Sequence, residues 1–70
     1  MHKKIGIALR KIRESRKLSL RQAEEIIGLD HSVIGRIENG EHEPQLSTLQ
    51  KFADGYKTTV LAILKKAGVK

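Results

Sequence analysis

Three side chains suited to polar recognition lie close together in the sequence, at His31, Ser32 and Arg36. An imidazole, a hydroxyl and a guanidinium together offer both hydrogen-bond donors and acceptors. At helical spacing they lie on the outer face of one short helix, and Asn39 extends that face. The face is polar, and its groups are suited to hydrogen bonding.

The chain has no arrangement of residues typical of catalysis or of a metal site. Its histidines, His2, His31 and His42, are scattered, and no carboxylate pair, Ser–His constellation or phosphate-cradling glycine loop accompanies them. Any residue that could serve as a second metal ligand at helical spacing from a histidine is better explained by another role. We therefore predict no enzyme activity, no metal site and no cofactor.

The charge of the chain is strongly positive. Fourteen Lys and Arg stand against 8 Asp and Glu, a formal net charge of +6. Such an excess favours a polyanionic partner through long-range attraction and counterion release. The positive residues are concentrated between positions 3 and 21, where Glu14 is the sole acidic residue. Together with the polar helix face, this indicates double-stranded DNA as the partner, although any single lysine fits a solvated helix face equally well.

The stretch 19–40 predicts two short helices joined by a tight turn. Ser19, followed three residues later by Gln22, is typical of a capping box at the start of a helix. Gly28 is expected to end that helix in the left-handed conformation. Asp30 is expected to cap the next helix, where its charge also suits the helix dipole.

Helical periodicity recurs along the rest of the chain, with no alternation long enough for a strand. We expect a first helix over about 3–16, a fourth over about 46–55, and a fifth from a cap at Thr58 or Thr59 to just before Gly68. We therefore predict an all-α fold, a single domain over residues 1–70 that forms a compact five-helix bundle. The residues expected to form the core of helices 1, 4 and 5 are Ile5, Ala8, Leu9, Ile12, Leu46, Leu49, Phe52, Ala53, Val60, Ile63 and Leu64.

Two absences in the sequence bear on the cellular environment. The chain has no cysteine, so neither a disulfide framework nor a thiolate metal site is expected. No apolar run approaches the roughly 20 residues of a membrane span, and the first residues lack the pattern of a secretory signal. We expect a cytoplasmic protein.

The chain resembles the helix-turn-helix domain of the Cro and phage-repressor (XRE-like) family over roughly residues 5–64. No single piece is diagnostic, but the set in this order and spacing is strong evidence for the fold. The resemblance implies a lambda-repressor-like fold and a sequence-specific DNA-binding transcriptional regulator, a repressor. The matching residues are Leu9-Arg10-Lys11-Ile12-Arg13, Leu18-Ser19, Gly28-Leu29, Ile34-Gly35-Arg36-Ile37-Glu38-Asn39-Gly40, Pro44, Leu49, Phe52 and Ala53.

The resemblance also implies how DNA is contacted. The second helix of the 19–40 pair would enter the major groove while the first crosses the phosphate backbone. Arg36 would pair with guanine O6 and N7. Arg13 and Glu38 would form a structural ion pair between helices 1 and 3. The residues nearest the bases would be His31, Ser32, Val33, Gly35 and Arg36. The phosphate contacts would come from Ser19, Leu20, Arg21, Gln22 and Asn39, with Arg10 and Lys11 as weaker candidates. For the candidate base-reading residues, the alternative is that they are ordinary surface residues. For Asn39, the alternative is a plain C-terminal cap.

Several residues depart from the family pattern. Glu24 lies where the two helices of the motif cross, and a carboxylate buried there without a partner is costly, so helix 2 is expected to rotate or lie further out. Gly35 and Gly55 fall inside helices, where glycine costs about 0.8 to 1 kcal/mol relative to alanine. Glu41 and Glu43 follow the motif in a loop, where they would repel phosphate.

Three apolar residues fall off the core stripes, at Ile7, Ile26 and Leu61. They predict a homodimer surface, because repressors of this kind bind two half-sites about 34 to 36 Å apart. The same residues support an alternative function, a protein–protein interaction module that keeps the fold but binds DNA weakly or without specificity. Steep salt dependence of binding would favour DNA. No small-molecule effector site is evident.

Overall fold

The structure, a computed structural model, describes residues 2–68, which form five helices and no strand. The helices are α1 (His2–Ser15), α2 (Leu20–Ile27), α3 (His31–Glu38), α4 (Leu46–Gly55) and α5 (Val60–Lys66). α1 packs against α3 and α5, α2 packs against α3 and α4, and α4 packs against α5. The prediction of an all-α five-helix fold is confirmed.

Local capping sets the bounds of α2 and α3. The Gln22 amide donates to Ser19 Oγ at 3.1 Å, and the Ser19 amide donates to Gln22 Oε1 at 2.8 Å, so both halves of the capping box are present. Gly28 ends α2 at φ 86°, in the left-handed region, and its amide donates to the Glu24 carbonyl. Asp30 accepts the Ser32 amide at the start of α3.

A single apolar core joins the helices, and most of its members are those the periodicity predicts. Leu46 is an exception, because its side chain is 71% exposed where burial was expected. It is the first residue of α4 and shares a face with the buried Leu49, but nothing in the described part of the chain covers the Leu46 side chain. The buried residues are Ile5, Leu9, Ala23, Ile27, Ile34, Ile37, Leu49, Phe52, Ala53, Tyr56 and Ile63.

The backbones of α1 and α3 approach each other closely at Gly6. A Cβ placed on Gly6 would lie 2.6 Å from the Glu38 carbonyl oxygen and would also collide with the carbonyl oxygen of Ile37. Glycine is therefore required where the two helices cross. A milder version occurs at Gly55, where a Cβ would lie 3.0 Å from the Ile26 carbonyl oxygen. This close approach accounts for the glycine in α4.

An ion pair joins the same two helices. Arg13 donates from Nε to Glu38 Oε2 at 2.8 Å and from Nη2 to Glu38 Oε1 at 3.0 Å. A third donor, Nη1, binds the Leu18 carbonyl at 2.8 Å. The Glu38 side chain is 3% exposed and the Arg13 side chain 12%. The hydrogen bonds to Glu38 raise the pKa of Arg13 above its usual range, so Arg13 keeps its positive charge in the folded protein.

Tyr56 lies in the core beside this pair. Its ring is buried, the Arg16 guanidinium lies 5.5 Å from the ring centroid, and the Phe52 ring centroid is 6.1 Å away. The Tyr56 hydroxyl has no hydrogen-bond partner within the described residues. Burial raises the pKa of Tyr56 to about 12.

Candidate nucleic-acid interface

α3 presents one face to the core and the other to solvent. Ile34 and Ile37 are buried, whereas Ser32, Val33 and Arg36 are exposed. Arg36 makes no side-chain hydrogen bond or ion pair to any residue that the structure describes, so all its donors are available to a ligand. α3 thus carries a free guanidinium on its outer face.

The hydroxyl of Ser32 is already engaged. It donates to the Asp30 carboxylate, which also accepts the Ser32 amide. These bonds hold the pKa of Asp30 below its usual range, chiefly through the Ser32 hydroxyl. The Ser32 hydroxyl can therefore still accept a hydrogen bond from a base, but its own proton is bonded to Asp30.

Gly35 faces α2 rather than open solvent. It is half-buried, and a Cβ added there would meet Leu20 Cδ1 at 3.6 Å, an ordinary contact. The structure therefore gives Gly35 room for a methyl group on its α2 side. No close approach within the described residues requires glycine at this position.

The N-terminus of α2 offers two amides to an anion. Within residues 2–68, the amides of Leu20 and Arg21 have no recorded protein acceptor. They lie at the positive end of the helix dipole, which favours phosphate. The Ser19 amide is not open in the same way, because the Gln22 side chain accepts that N–H. The capping box thus occupies Ser19 and Gln22 and leaves the next two amides open.

The remaining phosphate candidates differ in availability. Arg10 is paired with Glu14 at 3.3 Å, and both side chains are half-exposed. Lys11 is exposed on α1. Asn39 is the C-terminal cap residue of α3, and its side-chain amide donates weakly to Glu41 at 3.4 Å. Lys11 is therefore the more available α1 candidate, and Asn39 would have to leave an acidic neighbour to reach a phosphate.

Glu24 has a partner that sequence reasoning missed. Its Oε1 accepts the His31 backbone amide at 2.7 Å and also lies 2.9 Å from His31 Nδ1. The hydrogen bonds from His31, from its side chain above all, hold the pKa of Glu24 below its usual range. Helix α2 therefore packs on α3 with the carboxylate bonded to the start of α3, and the cost expected for an unpaired carboxylate does not arise.

Glu24, Asp30 and His31 also form the one group among the described residues whose ligand atoms could reach a common cation, all lying within 4.8 Å of one another. Their geometry is accounted for without an ion. Glu24 and Asp30 each accept a backbone amide at the start of α3, and Glu24 also accepts from the imidazole. We interpret the cluster as a double cap of α3.

The exposed apolar residues lie in different parts of the molecule. Ile7 is 53% exposed and lines a shallow groove of about 230 Å³ between α1 and α5, together with Lys4, Ala8, Lys11, Lys66 and Ala67. Ile26 lies against Gly55, where α2 meets α4. Leu61 is 63% exposed on α5.

A profile of the helix-turn-helix family (HTH_3) matches residues 9–63. The chain belongs to this family. The match begins in the second half of α1, ends within α5 and includes the capped α2–α3 pair described above. The resemblance drawn from residues 5–64 is confirmed.

Two relatives named as regulators share substantial sequence with the chain. The HTH-type transcriptional regulator PuuR of Escherichia coli (strain K12) is 45% identical over 51 residues, 73% of this chain. The HTH-type transcriptional repressor RghR of Bacillus subtilis (strain 168) is 38% identical over 64 residues, 90% of this chain. The matched parts make up 28% of PuuR and 47% of RghR, so the chain corresponds to less than half of either relative.

Solved structures share the fold. An HTH_3 family transcriptional regulator from Vibrio cholerae superposes with a TM-score of 0.87 at 33% identity, over 91% of this chain and 36% of that one. The clp gene regulator ClgR from C. glutamicum superposes with a TM-score of 0.89 over 96% of this chain and 87% of that one; at 22% identity it supports the fold alone. No helix within residues 2–68 is long and apolar enough to cross a membrane.

Proposed function

We propose that the chain is a sequence-specific double-stranded DNA-binding transcriptional regulator that acts as a repressor. The observation that carries the proposal is the free guanidinium of Arg36 on the outer face of α3, together with the open amides at the start of α2. Membership of the helix-turn-helix family and the names of PuuR and RghR support it. None of these relatives is named as an enzyme.

The proposed contacts divide into those that read bases and those that hold the backbone. α3 enters the major groove, which is about 12 Å wide and admits one helix. Arg36 forms a bidentate contact to guanine, worth about 1 to 3 kcal/mol of discrimination. His31, Ser32 and Val33 contact neighbouring bases, and the exposed Val33 side chain suits a thymine methyl group.

The backbone contacts fix the position of α3 in the groove. The Leu20 and Arg21 amides bind one phosphate at the start of α2, and Lys11 and Asn39 add contacts to others. Because these contacts displace counterions, affinity falls as salt rises. The slope of the logarithm of the binding constant against the logarithm of the salt concentration is about −0.9 per phosphate neutralised.

An unbiased selection of duplex DNA on the purified chain tests the proposal. It is run at about 50 and 200 mM salt, because phosphate-mediated binding weakens steeply over this range. The variants are Arg36→Ala and the charge-matched control Lys51→Ala, which removes an exposed cation from α4. Enrichment of one sequence that Arg36→Ala loses and Lys51→Ala retains supports the proposal. Weak binding to every duplex, with no enrichment, refutes it.

We further propose that the chain binds a two-fold operator as a homodimer. Leu61 on α5 is the first candidate for the dimer contact, because it is more exposed than Ile7 or Ile26 and lies outside the α1–α5 groove. Two copies of the α1–α5 groove would bring Lys4, Lys11 and Lys66 together, and like charges repel. Analytical ultracentrifugation of the wild type and of Leu61→Asp tests this; an unchanged sedimentation profile argues against α5.

A second candidate function, a protein–protein interaction module, is favoured by one observation. The α1–α5 groove has an apolar floor with exposed Ile7 and is surrounded by three lysines. Such a surface fits an acidic, partly apolar segment of another protein. The variant Ile7→Ser distinguishes the two functions, because it leaves DNA binding through α3 unchanged but releases a protein partner held in this groove.

A further inference from the structure

The contact between Glu24 and His31 fixes the position of the His31 ring as well as the start of α3. One carboxylate oxygen of Glu24 accepts both the His31 backbone amide, at 2.7 Å, and the ring nitrogen Nδ1, at 2.9 Å. Glu24 belongs to α2 and His31 is the first residue of α3, so the ring is tied across the turn of the motif. The ring is thus held at the end of α3 that enters the major groove.

The chemistry of the acceptor determines where the imidazole proton lies. An ionised carboxylate only accepts hydrogen bonds, so the nitrogen facing it must carry the hydrogen. A neutral imidazole has one N–H, and the other ring nitrogen is then an acceptor. With the proton on Nδ1, His31 Nε2 becomes a lone-pair acceptor, and no described residue donates to it.

The surroundings of the ring keep this arrangement in place. Asp30 Oδ1 lies 4.0 Å from His31 Nδ1, on the same side as Glu24, so both carboxylates face the protonated nitrogen. Asp30 is otherwise occupied with Ser32. The His31 side chain is 35% exposed, which leaves part of the ring open to a ligand.

We propose that Glu24 is a positioning residue that makes Nε2 of the neutral His31 ring an acceptor, and that His31 therefore reads a base with an amino group in the major groove. Only adenine, through N6, and cytosine, through N4, present such a donor there. This inference rests on the proposed function, since it assigns a base class to one position of the site that α3 reads.

The assignment predicts a base preference that depends on Glu24. In Glu24→Gln the side-chain amide either keeps its oxygen on both the His31 backbone N–H and Nδ1 or turns its NH₂ toward Nδ1, which moves the ring proton to Nε2, so the tautomer is no longer fixed. His31 then donates to guanine or thymine as readily as it accepts from adenine or cytosine. The control is Glu25→Gln, which removes the same charge from the neighbouring, exposed residue of α2.

The test measures affinities for the selected duplex and its single-base variants at about pH 8, where imidazole side chains are neutral. The wild type should prefer adenine or cytosine at one position of each half-site by about two- to tenfold, as expected for one hydrogen bond. His31→Ala and Glu24→Gln should lose that preference at that position alone, and Glu25→Gln should keep it. Uniform changes at every position in Glu24→Gln, or full retention in His31→Ala, would overturn the inference.

A second measurement requires neither DNA nor a variant. The ¹⁵N–¹H correlation spectrum of the His31 ring at about pH 8 distinguishes the two neutral tautomers. We expect a protonated Nδ1 and an unprotonated Nε2, and the reverse would overturn the inference. A wild type without any sequence preference refutes the proposed function and the base assignment together. A preference that needs Arg36 but neither Glu24 nor His31 refutes this inference alone.

Discussion

Two glycines within helices should respond in opposite ways to the same added methyl group. Gly6 in α1 and Gly35 in α3 are both helical, so Gly→Ala gains about 0.8 to 1 kcal/mol of helix propensity at either position. Their surroundings differ. At Gly6 the methyl group would collide with the backbone carbonyls of Ile37 and Glu38, whereas at Gly35 it would meet only Leu20 Cδ1, at 3.6 Å.

The magnitudes follow from these contacts. Backbone atoms cannot rotate away, so Gly6→Ala must push α1 from α3. Overpacking this severe costs about 3 kcal/mol, and the helix-propensity gain of about 1 kcal/mol leaves a net loss of about 2 kcal/mol. A chain of this length has a free energy of unfolding of about 4 to 10 kcal/mol. At about 4 to 8 °C per kcal/mol, a loss of 2 kcal/mol lowers the Tm by roughly 8 to 16 °C. Gly35→Ala should raise the Tm by about 4 to 8 °C.

The assay is thermal and urea unfolding of both variants beside the wild type, followed by circular dichroism at the helix band. Gly35→Ala is the matched control, because it makes the same chemical change in a helix of the same bundle. Wild-type stability in Gly6→Ala, or a loss of stability in Gly35→Ala, would refute the close α1–α3 crossing and the open space beside Leu20.

Three further predictions concern charge and burial. Arg13→Ala leaves Glu38 buried without a partner and should lower the free energy of unfolding by about 3 to 5 kcal/mol; urea melts should show Arg13→Met/Glu38→Leu recovering most of the loss. Tyr56→Phe should keep or improve stability by about 1 kcal/mol, because it removes an orphaned hydroxyl. Because the pKa of Tyr56 is raised in the folded protein, its titration leaves the free energy of unfolding unchanged below about pH 10 and lowers it as the pH rises through about 12. Alkaline melts should therefore show a weaker decline in Tyr56→Phe than in the wild type. The lowered pKa values of Glu24 and Asp30 give stability that is present above about pH 4 and lost as pH falls below it; acid melts of Glu24→Gln/Asp30→Asn should show a weaker decline.

The parts of the fold that the sequence predicts are those with local causes. The Ser19–Gln22 capping box, the left-handed Gly28 and the Asp30 cap each depend on residues a few positions apart, and all three are present. The α4 helix also begins and ends where its periodicity predicts, at Leu46 and Gly55. Short-range hydrogen bonding and helical spacing were sufficient for these.

The missed features depend on how helices meet. The requirement for Gly6 arises from the α3 backbone, which passes beside it. The α1 sequence alone does not show that another helix approaches there. Leu46 fits the apolar stripe of α4, yet nothing in the described chain covers its side chain. Glu24 looked like an unpaired charge because its partner, His31, belongs to the next helix. In each case tertiary packing decides the outcome.

At the candidate interface, the sequence placed Arg36 on the outer face of α3, and the structure leaves its side chain free. The residues at the start of α2 were harder to assign. The same side chains that cap the helix occupy the Ser19 amide, so only Leu20 and Arg21 remain open. The predicted capping box already implies this, because its Gln side chain reaches back to the N-cap amide.

The most direct test of the central claim is an NMR titration of the ¹⁵N-labelled chain with the duplex obtained by selection. We predict that the largest amide shifts occur at Leu20 and Arg21, at the start of α2, and at Ser32 and Arg36 on α3, while Ile7, Lys66 and Ala67 in the α1–α5 groove are unaffected. Shifts centred on the groove around Ile7, or no shifts at all, would contradict the claim that α3 reads DNA.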